Sequence, residues 1–140
     1  MKRLFLTLFL IVPLLWSCQS SDEYDALPRS ISTFVSQYWP NPDIESYTHP
    51  GPDVYVVVIH NGPRLTFDAA YAWTEIDGLG LPLPDNLLFN ELPDPLYRYL
   101  TETEATDAVF GMARNPRVYT LQLLESSLTY DIATQAVSVR

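Results

Sequence analysis

Two histidines, one cysteine and a scatter of carboxylates are the residues of this chain best suited to chemistry. His49 stands before Pro50 in a turn, and His60 closes an apolar run just ahead of Asn61-Gly62. If the segments between them pair as a hairpin, the two imidazoles approach each other, with Asp53 nearby. Two histidines and a carboxylate form a set that zinc accepts. Nothing fixes a further ligand, so they read as solvated hairpin residues, and neither a metal nor another cofactor is expected. The chain has no Gly-x-Ser-x-Gly elbow, no His-Glu-x-x-His pair and no phosphate loop. Asp77-Gly78 and Pro84-Asp85 lack the Asp-x-Asp-x-Asp-Gly order of a calcium loop. The carboxylates are spread over turns and strand edges, so spacing nominates no acid–base pair. No catalytic residue emerges, and the chain does not read as an enzyme.

The elements that would position a site begin after an N-terminal leader. Lys2-Arg3 precedes an apolar run over residues 4–15, too short for a bilayer core, which takes about 20 apolar residues. Residues 1–17 therefore read as a signal peptide. Leu15-Trp16-Ser17-Cys18 resembles a bacterial lipobox, with an aliphatic residue three places before the cysteine and a small one just before it. Trp16 departs from that pattern. Acylation of Cys18 would consume the only cysteine, leaving no thiol for catalysis or a disulfide, and would hold the chain on a membrane permanently. Residues 18–25 form a polar tether rich in acids. The expected address is the bacterial envelope, an outer-membrane lipoprotein facing either the periplasm or the cell surface.

Composition agrees with a folded domain beyond the tether. Of the 140 residues, 47% are apolar and 18% charged, a globular balance. The formal net charge of −9 argues against nucleic acid as a partner, because phosphate binding needs clustered Lys and Arg.

Two stretches of the remaining chain look alike. Leu27-Pro28 opens a helical stripe through Ile31, Phe34, Val35 and Tyr38, and Leu92-Pro93 opens a shorter one through Leu96, Tyr99 and Leu100. Strand patterns follow each. In the first stretch they cover residues 44–48, 54–60, 64–68 and 71–77, divided by Pro50-Gly51-Pro52-Asp53, Asn61-Gly62 and Ala69-Ala70. In the second they cover residues 107–113, 118–124, 128–131 and 135–139. Phe67-Asp68 recurs as Tyr130-Asp131, and Tyr55 as Tyr119. The expected fold is α+β: two tandem copies, residues 26–77 and 92–140, each a helix plus a four-stranded antiparallel meander. Residues 78–91 form a connector with one helical turn.

Leu27-Pro28, Phe34, Tyr38-Trp39-Pro40, the 54–60 strand, Asn61-Gly62, Leu65-Thr66-Phe67-Asp68 and Trp73-Thr74-Glu75-Ile76 together resemble the PepSY-like family. The resemblance spans residues 26–140 and is weaker in the second stretch, which lacks the Asn-Gly and the tryptophan. It implies an envelope lipoprotein with a tandem arrangement similar to β-lactamase-inhibitor proteins, and it implies no catalytic residues. Inhibition of a hydrolase follows only by analogy of fold.

Alternation supplies a candidate binding face. Carrying the phase of Tyr119, Leu121 and Leu123 to the first stretch turns Val56, Val58, Thr66, Tyr71 and Trp73 outward. That patch is more apolar than a solvated face needs, and so fits a protein partner in the envelope. The function expected is thus a lipid-anchored, non-enzymatic binding module. The alternative is a small-ligand or metal sensor using a cleft between the copies.

Overall fold

The computed structural model describes residues 24–140; the leader, Cys18 and the tether up to residue 23 lie outside them. Helix α1 (Arg29–Tyr38) leads into β1 (Ile44–Gly51), β2 (Val54–Ile59), β3 (Arg64–Phe67) and β4 (Trp73–Asp77). Helices α2 (Asp85–Glu91) and α3 (Asp94–Glu102) follow. The chain then completes β5 (Val109–Arg114), β6 (Val118–Leu123), β7 (Ser127–Asp131) and β8 (Val137–Val139). All eight strands form one antiparallel sheet in sequence order. Among the described residues no helix is long and apolar enough to cross a membrane.

This architecture corrects the expectation of an α+β fold of two tandem helix-plus-meander copies resembling β-lactamase-inhibitor proteins. β4 pairs directly with β5 through Glu75↔Ala113, Ile76↔Met112 and Asp77↔Gly111. The chain on both sides of the connector therefore builds a single, mostly β, sheet. Among the described residues three helices accompany it rather than two, because the second half of the 78–91 connector folds as α2, with Leu87 and Leu88 fully buried. Leu92 separates α2 from α3. Its extended backbone (φ −94°, ψ 151°) is what the following Pro93 demands, since the proline ring clashes with a helical predecessor. Hydrophobic period reports each segment's local geometry and carries no mark of a pairing made across the connector.

The pleat decides which side chains form the core. Val57, Leu65, Ile76, Met112, Leu121 and Leu128 stand opposite one another from β2 to β7, none more than 2% exposed. Ile31 and Val35 of α1, with Leu96 and Leu100 of α3, pack onto this row from one side. Each such burial stabilises by roughly 1.5–3 kcal/mol, which explains why the stripe on each short helix suffices to dock it.

One polar junction ties the helices to the sheet. The Tyr38 hydroxyl donates to Glu91 Oε2 at 2.6 Å, and Trp73 Nε1–H donates to Glu91 Oε1 at 2.9 Å. Burial first, and the bond to Glu91 second, push the Tyr38 hydroxyl well above the ordinary tyrosine range. On the Trp73 ring, Arg114 lies with its guanidinium carbon 3.9 Å from the ring centre, while its Nε–H donates to the Trp73 carbonyl at 2.8 Å.

Candidate functional site

With every helix on one face, the other face of the sheet is open among the described residues. Its rows follow from the register. Val56, Thr66, Glu75, Ala113, Thr120 and Thr129 form one line, and Val58, Arg64, Asp77, Gly111 and Gln122 form the next. At the centre, where β4 meets β5, lies a groove of about 390 Å³. Gly111 and Ala113 make its floor, Glu75 and Asp77 one wall, Thr120 and Gln122 the other, with Gly80 at one end. The depression exists because β5 places a glycine and an alanine where its neighbours place long side chains.

The walls differ in what they can still bind. Asp77 is committed: Oδ2 takes Arg64 Nη2 at 3.1 Å, and Oδ1 accepts the Leu79 amide at 2.9 Å, shaping the start of the connector. Glu75 is exposed and makes no side-chain hydrogen bond or ion pair among the described residues. The groove thus offers a free carboxylate, a hydroxyl and an amide over a small apolar floor. It suits a cationic side chain carried on an apolar segment. No histidine or cysteine lines it.

The residues singled out from sequence divide between faces. Val56, Val58 and Thr66 lie on the open face, all half-buried. Trp73 does not: it is 2% exposed and belongs to the core. The cause is a bulge, because Thr66 pairs with Glu75 while the next residue, Phe67, pairs with Trp73. Thr74 is the extra residue, and passing it inverts the phase of everything before it in β4. Tyr71 sits in the β3–β4 turn with a positive φ of 66°. Its ring meets Tyr55 edge-on at 5.1 Å, at the end of the helix-bearing face rather than on the open one. Cys18 lies outside the described residues.

The histidines are held apart. His49 Nδ1 is 2.8 Å from the Val54 carbonyl at one end of β2, whereas His60 Nδ1 is 3.4 Å from Glu45 Oε1 at the other end. Among the described residues no three His, Cys, Asp or Glu side chains gather to hold a metal ion. No cleft separates the two halves either, since their facing strands are hydrogen-bonded; the seam is instead the groove. Glu75, Asp77, Thr120 and Gln122 were not singled out by sequence reasoning. The signal that could have found them is Gly111-x-Ala113, two small residues at outward positions of a strand.

Neither the models of protein families nor the curated proteins include a match to this chain. Three solved structures of Bacteroides proteins, each provisionally assigned to the periplasm, share the fold. One, from Bacteroides thetaiotaomicron, is described as calcium-regulated; it is 20% identical, with a TM-score of 0.67 over 84% of this chain and 92% of that one. A second, from the DUF2874 family of Bacteroides vulgatus, is 23% identical with a TM-score of 0.67 over 84% and 92%. A third, of unknown function and also from Bacteroides vulgatus, is 16% identical with a TM-score of 0.66 over 83% and 93%. At these identities the likeness is one of fold.

Proposed function

We propose that this chain is a non-enzymatic, PepSY-like envelope lipoprotein, anchored through Cys18, whose open sheet face binds another protein. The observation that carries the reading is the seam groove: a concave, half-apolar surface at the centre of a sheet whose other face already holds every helix among the described residues. A concavity in which a few polar groups converge over an apolar floor is the usual form of a binding site. The free Glu75 and the net charge of −9 select a partner presenting Lys or Arg from an apolar segment, since opposite potentials steer and orient association. The envelope address rests on the leader and Cys18, and is supported by the periplasmic assignment of the proteins that share the fold.

Site-directed photo-crosslinking in living cells tests this. A crosslinker at Thr120, on the groove wall, is expected to trap a discrete protein, and Glu75→Lys is expected to abolish the adduct. A crosslinker at Thr33, exposed on α1, is expected to trap nothing comparable. Identical adducts from both positions, or an adduct indifferent to Glu75→Lys, would refute the reading.

A further inference from the structure

At one end of the helix-bearing face, far along the sheet from the seam, four aromatic side chains gather without being part of the buried core. Tyr47 and His49 of β1 flank Tyr55 of β2. The His49 ring lies 4.1 Å from that of Tyr55 with 3° between their planes, and Tyr47 lies 6.4 Å away on a plane tilted by 7°. Tyr71 closes the group edge-on at 5.1 Å. His49 and Tyr71 are exposed, and the other two are half-buried.

Tyr71 is the unusual member. A φ of 66° is the left-handed region that only Gly, Asn and Asp visit readily, and a bulky side chain there is strained. The second half of the chain contains a matching turn. Asp68 Oδ1 accepts the amides of Ala70 and Ala72, while its own N–H donates to the Ala72 carbonyl. Asp131 Oδ1 likewise accepts the Thr134 amide, and its N–H donates to the Ala136 carbonyl. The left-handed residue there is Gln135, with φ 62°. The reversal therefore works without an aromatic ring. The left-handed backbone belongs to the turn in both halves, so what is particular to Tyr71 is the aromatic ring that it sets edge-on against Tyr55.

The chemistry of the group is that of neutral hydroxyl recognition. A carbonyl only accepts, so the 2.8 Å contact to Val54 puts a proton on His49 Nδ1. In the neutral ring this leaves Nε2 as an acceptor. The phenols are neutral at ordinary pH, and burial at Tyr47 and the neighbouring Tyr71 hydroxyl at Tyr55 push these two further up. The four side chains thus combine flat apolar rings with three phenol groups that donate and accept, and include neither carboxylate nor guanidinium.

We propose that Tyr47, His49, Tyr55 and Tyr71 form a second binding site, independent of the groove, for an uncharged sugar ring. The C–H face of a pyranose packs on aromatic rings while its hydroxyls bond to the phenols and to Nε2. An anion finds no cation in the group, and a quaternary ammonium ion finds no carboxylate.

The test is a titration of the full chain, tyrosine-labelled and kept in a sugar-free detergent, followed by NMR. The probes are cellotriose, chitotriose, p-cresol and tetramethylammonium. Saturable shifts of the Tyr47, Tyr55 and Tyr71 ring signals are expected with a trisaccharide. Tyr71→Asn is expected to weaken binding roughly two- to tenfold, the worth of one aromatic contact, with an unchanged or higher Tm because asparagine tolerates the left-handed turn. If that variant fails to fold, His49→Ala is read instead, with the same expected loss. The proposal is overturned by the absence of saturable shifts with either trisaccharide. It is equally overturned by binding of p-cresol or tetramethylammonium alone, or by undiminished sugar binding in the variant.

Discussion

Glu91 joins three elements through two hydrogen bonds, so replacing it by Leu and by Gln gives two sharply different expectations. Its donors come from Tyr38 and Trp73, residues 3% and 2% exposed. In Glu91→Leu neither donor has an acceptor. A buried polar group left unsatisfied costs about 1–3 kcal/mol, so two cost about 2–6 kcal/mol. Glu91 is itself half-buried, and water entering beside it places the expected loss in the lower half of that range. In Glu91→Gln both bonds survive in altered form. The amide oxygen accepts from Trp73, which only donates, and the amide nitrogen donates to the Tyr38 hydroxyl, which can turn to accept. What is lost is the charge assistance, about 1 kcal/mol. Urea unfolding followed by circular dichroism measures both variants, with equal slopes reporting an unchanged fold. The Leu variant should lie at least about 1 kcal/mol below the Gln variant. Equal stabilities for the two, or a more stable Leu variant, would refute the hydrogen-bond account of this junction.

Two further predictions concern the connector and the alkaline limit. A Cβ on Gly78 would run into the carbonyl oxygens of Leu81 and Phe110, whereas one on Gly111 meets nothing nearer than 3.5 Å. Gly78→Ala should therefore cost about 1–3 kcal/mol or more and Gly111→Ala less than about 1 kcal/mol, as read by thermal melts. Because the folded chain holds the Tyr38 proton more tightly than the unfolded chain, its stabilising contribution is complete below the ordinary tyrosine value of about 10. That contribution is lost as pH rises beyond this value, and Tyr38→Phe should flatten the decline of melting temperature measured between about pH 9 and 11.

Local physics made the strands legible. The β-branched run at Val54–Ile59, the Asn61-Gly62 turn and the alternation through Leu65 and Phe67 each state a conformation within a few residues. The apolar stripe on α1 did the same for Ile31, Val35 and Tyr38. What stayed hidden depended on relations between segments. The β4–β5 ladder is made between residues on opposite sides of the connector, and no periodicity encodes it. Leu87 and Leu88 form an apolar pair too short to show helical spacing, so α2 read as no more than one helical turn within a linker. Trp73 was misplaced by one extra residue, Thr74, since alternation counts residues and a bulge breaks the count. The groove was illegible for the same reason as the seam, because its two walls come from opposite sides of the connector.

The strictly sequential strand order bears on how the molecule assembles. Six of the seven pairings join strands linked by short turns, whereas β4 and β5 meet only after residues 78–108 have been looped out between them. Loop closure costs more entropy as the loop lengthens, and non-local pairings are the slower ones to form. The hairpins on either side are the faster pairings, and the seam is the slower one. Since the groove is made by that closure, a chain whose seam is still open has no groove. Whatever the groove is proposed to bind can therefore be met only by the finished sheet, which would separate maturation from recognition in time.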